Sequence, residues 1–128
     1  MRSPRRGQIF RLRSDSVGKK RPVLVVSPTH LNGGIYVLAV PFYSQQIEKR
    51  RELKNCVFFS SGEFGLDADC VAITNQVTVT KVTDLRMSEG ALGEIDEEKM
   101  AEVEASLLYS LGITLRNEPD PQSGVKTE

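Results

Sequence analysis

One histidine and two cysteines stand among the 128 residues of the chain, and neither type is arranged to hold a metal. A lone His30 excludes a pair of histidines dividing acid and base work between them. It lies in a polar loop beside Asn32-Gly33-Gly34 and is expected to be solvated. Cys56 and Cys70 show no CxxC spacing and have no histidine partners, so neither spacing nor number suggests a metal site. They read as small apolar strand residues rather than as a disulfide. No apolar run approaches the roughly 20 residues that a membrane span needs. The charged start Met1-Arg2-Ser3-Pro4-Arg5-Arg6 leads into no apolar segment, so it is no signal peptide and a cytoplasmic location is expected. No internal repeat is visible.

What is present is ordinary for a globular protein of one domain, with 39% hydrophobic residues and a formal net charge of +0. The zero hides a segregation. The first 21 residues hold eight bases and one acid, Asp15, whereas from Glu94 onward there are nine acids and three bases. A basic front and an acidic back suggest an anionic ligand at one surface, with internal charge balance as the simpler alternative.

Along the chain, residues 7–13 alternate after Ile9. Phe10 and Leu12 take one face and Arg11 and Arg13 the other, a half-buried strand. Residues 14–20 form a polar loop. Ile35 to Phe42 is a continuous apolar run, expected to be a strand buried on both faces, with Pro41 marking a bulge or the end of pairing. A charged turn at 48–52 leads into a strand from Leu53 to Phe59. Cys70 to Val79 reads as one long strand interrupted by Asn75 and Gln76, two amides that either brace a loop or line a polar cleft. Met87 to Leu92 is a candidate edge strand.

One helix is clear. Asp96 is its N-cap, Glu97 and Glu98 complement the dipole, and Ile95 and Met100 take the staple positions. Met100, Val103, Leu107, Leu108 and Leu111 share a face, and Gly112 is the C′ candidate. Strands at this spacing with one late helix predict a mainly β (α+β) fold, a small, strongly curved antiparallel barrel over residues 1–115. Residues 116–128 are polar and predict a disordered tail.

The stretch that organises the rest is Lys19-Lys20-Arg21-Pro22-Val23-Leu24-Val25-Val26-Ser27-Pro28. Its aliphatic tetrad is a strand buried on both faces, begun by Pro22 where a missing N–H costs least. Arg21 is thereby fixed at the rim of the core. Its planar fork of donors matches a phosphate or an oxyanion, and its charge does not titrate away.

Here the sequence resembles a known family. Arg6-Gly7-Gln8-Ile9, the Arg21-to-Ser27 stretch, Val40-Pro41-Phe42-Tyr43-Ser44-Gln45, Gly65-Leu66-Asp67-Ala68-Asp69-Cys70-Val71 and Asn75-Gln76 look like the landmarks of the MazF/PemK toxins. The resemblance runs from about residue 6 to 113 in order. It implies an SH3-like barrel, a homodimer, and a type II toxin–antitoxin endoribonuclease that needs neither metal nor cofactor. Such toxins cut single-stranded RNA, often mRNA, through attack of the ribose 2′-OH on the adjacent phosphate. A cognate antitoxin blocks the site with an extended acidic segment.

On this resemblance Arg21, Tyr43 and Ser44 are the candidate catalytic residues. Lys19, Lys20, Gln45, Asn75 and Gln76 are the candidate RNA-binding ones. Tyr43 stands where the family commonly has Thr, and Asn75 where some members have Asp or Glu. Ser44 supplies a neighbouring hydroxyl. Asn75 can hold a ribose or base edge but cannot act as a base. The second reading is a non-catalytic module of the same fold that binds RNA or a partner protein through an altered site. A third, the gyrase-poisoning relatives, fits less well with the retained Arg21 motif. The apolar helix face and the barrel rim are the expected dimer surface.

Overall fold

The computed structural model describes residues 3–13 and 21–114. The expected loop at 14–20, with Lys19 and Lys20, and the expected tail lie outside the described residues. Among the described residues seven strands form one antiparallel sheet: β1 (Gln8–Arg11), β2 (Pro22–Val25), β3 (Tyr36–Tyr43), β4 (Cys56–Phe59), β5 (Cys70–Ile73), β6 (Thr78–Lys81) and β7 (Gly93–Glu94). The order is β4-β5-β3-β2-β1-β7, with β6 also pairing β3. The sheet curls into a half-barrel. One main helix, α2 (Glu97–Leu111), packs across it. A second helix the sequence did not announce, α1 (Ile47–Arg50), is a single turn. Among the described residues no helix is long and apolar enough to cross a membrane.

The continuous apolar runs follow from a sheet with two buried faces. Leu24 and Val26 of the second strand segment, with Val40 and Phe42 of β3 and Ile9 of β1, enter a core closed by Val103 of α2. Their neighbours Val23, Val25, Val37, Ala39 and Phe10 enter a second core on the opposite face, with Leu85. Side chains alternate between faces along a strand, so a strand between two cores must be apolar at every position.

Pro41 pairs with Val23 of β2. It lies between the residues of β3 that pair β6, Tyr36 to Ala39, and those that pair β5, Phe42 and Tyr43. Its missing N–H falls where β3 changes partners.

Three expectations are corrected. The outer end of β3 is buried on one face only: Val37 and Ala39 enter the second core, while Tyr36 and Leu38 are exposed on the other face, beyond the β3 residues Val40 and Phe42 of the first core. The long strand from Cys70 to Val79 is broken into β5 and β6 by a 3₁₀ turn, Thr74–Gln76. The turn is pinned by Thr74, which is fully buried. Its amide donates to the Asn55 carbonyl at 2.8 Å. Its hydroxyl lies 2.7 Å from the hydroxyls of both Ser106 and Ser110 on α2. A buried hydroxyl without partners is costly, so this cluster holds the corner against the helix. The edge strand also falls later than expected, at β7, since Met87–Glu89 is a 3₁₀ turn.

The helix matches its signals. The Asp96 carboxylate accepts from the Lys99 amide at 2.8 Å, and Gly112 takes the left-handed conformation at φ 70° that Gly adopts without a Cβ penalty. Met100, Val103 and Leu107 are consumed in the protein's own core. The large apolar groups left exposed include Tyr36, Leu38 and Val79 on β3 and β6 and Leu111 at the end of α2.

The loop from Gly62 to Asp69 is fixed by a close crossing of two glycines. A Cβ on Gly65 would run into the Leu92 carbonyl, and one on Gly93 into the Phe64 carbonyl. Gly65→Ala and Gly93→Ala are each expected to cost more than about 3 kcal/mol, because backbone rather than a side-chain tip must move. Gly62 has φ +94° with nothing near its would-be Cβ, so Gly62→Ala should cost only about 1–2 kcal/mol. Urea unfolding of the three variants checks this order.

Candidate active site

The start of β2, the end of β3 and the loop before β5 enclose a cleft of about 360 Å³. Its floor is apolar: Phe42, Leu66 and Cys70 are all buried. Phe42 is held edge-to-face against Phe59, with ring centroids 5.1 Å apart. Its rim is polar, made by Arg21, Tyr43, Ser44, Gln45 and Asp67.

Arg21 immediately precedes β2, and its carbonyl accepts from the Leu12 amide at 3.1 Å, so the backbone is tied to β1. Its side chain is not buried. The guanidinium carbon lies 4.8 Å from the centre of the Tyr43 ring. A cation over an aromatic face is worth about 0.5–1 kcal/mol at an exposed site, enough to orient the fork but not to neutralise it. Among the described residues no carboxylate forms an ion pair with Arg21.

Tyr43 closes β3, where it pairs with Val71. Its hydroxyl donates to the Gln76 Oε1 at 2.9 Å. Ser44 and Gln45 follow it and are exposed on the rim. The cleft thus gathers Arg21, Tyr43, Ser44 and Gln45 in one wall, and Gln76 joins them through Tyr43. Asn75 is not among the residues lining the cleft. Its Oδ1 accepts from Asn55 at 2.8 Å, so it braces the preceding loop. Lys19 and Lys20 fall outside the described residues. His30 is exposed, as expected.

Two cleft neighbours carried no role in the sequence reading. Asp67 faces the site from the opposite wall, with Arg11 3.8 Å away. Arg50 of α1 brings a second guanidinium to within 5.3 Å of the Tyr43 ring centre. Position 67 lies inside the Gly65-to-Val71 motif, whose residue pattern alone gives Asp67 no role. The basic run 49–51 carried a signal, but nothing in its spacing aims it at Tyr43. Among the described residues no three His, Cys, Asp or Glu side chains converge on one point.

Cys56 and Cys70 are both free and buried. Burial, helped by the negative charges of Asp69, Asp67 and Glu63, pushes the Cys70 thiol from 9.0 to about 12. It is therefore an apolar floor residue and not a nucleophile. A thiol whose pKa is raised by folding stabilises fully below the unfolded value and loses that contribution as pH climbs to the folded one. The stability of the wild type should therefore fall more steeply between pH 9 and about 12 than that of Cys70→Ala, as chemical unfolding across that range will show.

The comparisons with known proteins agree with this fold. The family model described as PemK-like, MazF-like toxin of type II toxin-antitoxin system matches residues 5–111. Among solved structures, a mycobacterial endoribonuclease in complex with its cognate antitoxin is 22% identical with a TM-score of 0.68, over 90% of this chain and 99% of that one. The Mycobacterium tuberculosis toxin MazF-mt6 is 17% identical with a TM-score of 0.69, over 84% and 99%. A MazE–MazF structure from Deinococcus radiodurans is 24% identical with a TM-score of 0.63, over 88% and 99%. No curated protein gives a significant match.

Proposed function

Because the chain belongs to the family of PemK-like, MazF-like toxins of type II toxin–antitoxin systems, we propose that it is an endoribonuclease that cuts single-stranded RNA without a metal ion. The reading rests above all on Arg21, a guanidinium without an ion-pair partner among the described residues, mounted at the entry to β2 and lining a cleft with Tyr43 and Asp67.

In the proposed reaction the ribose 2′-oxygen bonds to the adjacent phosphorus and the bond from phosphorus to the 5′-oxygen breaks. The products are a 2′,3′-cyclic phosphate and a free 5′-OH. Negative charge grows on the equatorial phosphate oxygens, where Arg21 donates both edges of its fork. The 2′-OH must lose a proton, and Asp67 is the carboxylate on the cleft wall able to take it. The 5′-oxygen must gain one, and Ser44 or solvent at the open rim supplies it. Tyr43 contributes its ring. Its hydroxyl proton is already committed to Gln76, so the residue serves as a stacking surface for a base. Gln45 on the rim orients the strand.

The cognate antitoxin is the proposed protein partner, as the antitoxin-bound mycobacterial and Deinococcus relatives suggest. Its acidic segment would compensate the charge of Arg21. A homodimer is the proposed assembly. The helix face Met100–Leu107 is already spent in the core, so the exposed apolar pair Leu38 and Val79, opposite each other on β3 and β6, is the better candidate for the contact.

Arg21→Ala is expected to lower the single-turnover cleavage rate about 10²–10³-fold and to abolish growth arrest on induced expression. Arg21→Lys keeps the charge without the fork and should recover only part of the rate. Tyr43→Phe should cost less than about tenfold, one net hydrogen bond's worth, whereas Tyr43→Ala should cost more through loss of the ring. An Arg21→Ala protein that cleaves at the wild-type rate under saturating RNA would place the chemistry elsewhere.

A further inference from the structure

Tyr43 borders more than the cleft. It pairs with Val71 of β5, and Val71 pairs in turn with Phe58 of β4. Residues opposite one another in antiparallel strands project from the same face, so Tyr43, Val71 and Phe58 form one row across three strands. With roughly 4.8 Å between strands, the two aromatic residues are mounted about 10 Å apart. Both pack on the small cluster of Cys56, Val71 and Ile73, outside the main cores.

Each ring in the row carries a guanidinium. Arg21 and Arg50 lie over Tyr43, and Arg51 lies over Phe58 at 3.8 Å from the ring centre, a stacking distance. Arg50 and Arg51 come from α1 and the residue that caps it. That turn follows Gln46, held in the left-handed region at φ 56°, and is seated by Ile47 on the same small cluster.

The charge of this row is scarcely compensated. Among the described residues no carboxylate pairs with Arg21 or Arg50, and Arg51 reaches only the exposed Glu48, at 3.8 Å. The Nη1 atom of Arg50 is buried and has no acceptor among the described residues. Three cations crowded on two rings repel one another, and a bound polyanion would relieve that repulsion.

We propose that the Tyr43–Val71–Phe58 row is a second nucleotide platform, which binds the stretch of single-stranded RNA flanking the cleaved bond. This rests on the ribonuclease reading for its substrate and extends it beyond the cleft. Bases stack on the guanidinium–ring pairs, and phosphates take the outward N–H edges of Arg50 and Arg51. Repeated planar pairs match a row of planar bases better than an acidic polypeptide, which brings carboxylates but no planes to stack.

The test uses oligothymidylate, which lacks the 2′-OH and cannot be cut, in lengths of about 15 and about 3 nucleotides. Affinity is followed by fluorescence anisotropy across a range of salt. Arg50→Gln and Arg51→Gln should each lower the slope of log K against log salt by about 0.7 with the long strand. Arg51→Gln should leave the short strand unaffected. Phe58→Leu should weaken the long strand several-fold with its slope retained, and its thermal midpoint reports whether the strand still folds. Unchanged slopes for Arg50→Gln and Arg51→Gln, with Arg21→Gln alone defective, would overturn the platform and leave the ribonuclease reading standing. Slopes that fall as stated in a protein that cleaves no RNA would do the reverse. Variants that bind the long strand normally but lose poly-L-glutamate would make the face an acidic-peptide surface and overturn the proposal.

Discussion

Burial of the β2 segment on both faces is the constraint on which the rest of the structure depends. Val23 and Val25 fill one core while Leu24 and Val26 fill the other, and all four are at most 5% exposed. Each buried aliphatic side chain contributes on the order of 1.5–3 kcal/mol. A strand clamped in this way cannot slip by one residue, because every side chain would change core. The residue just before it, Arg21, inherits that rigidity through the backbone while its side chain stays outside. In the proposed reaction a donor held so firmly would meet a developing charge without reorganisation, which is the main source of such an effect.

The second fixed wall of the cleft has a different origin. The loop carrying Leu66 and Asp67 is held by the Gly65–Gly93 crossing, and the Thr74 hydroxyl cluster ties the corner after β5 to α2. Polar satisfaction and backbone contact do there what aliphatic burial does at β2. The cleft is therefore assembled from three separately anchored pieces: the entry to β2, the end of β3 and the loop before β5. None of its rim residues belongs to the two main cores, and Tyr43 packs only on the small cluster of Cys56, Val71 and Ile73.

Much of this was legible before the fold was seen, and the reasons are local. The Val23–Val26 tetrad, the Asp96 cap and the Gly112 stop depend on short-range periodicity and capping, which sequence records directly. Arg21 could be located because Pro22 marks the first position of its strand. The break at Thr74 was not legible: its cause is a contact with Ser106 and Ser110 more than 30 residues away. For the same reason Asn75 could be read as a bracing or a cleft residue, and only its bond to Asn55 separates the two. The exposed end of β3 was missed because a strand between two cores and a strand that outruns its cover have the same apolar composition. Arg50 was missed because its approach to Tyr43 depends on the turn at Gln46, a residue type that gives little warning of a left-handed conformation.

In the proposed function the cleft is where Arg21, without an ion-pair partner among the described residues, would meet a phosphate under attack by a neighbouring 2′-oxygen. The most direct measurement is the chemistry of the ends produced when the purified protein cuts a long single-stranded RNA in the presence of a chelator. The expected ends are a 2′,3′-cyclic phosphate on one fragment and a free 5′-OH on the other. A 3′-OH facing a 5′-phosphate would contradict it, since that outcome requires water rather than the 2′-OH as the nucleophile.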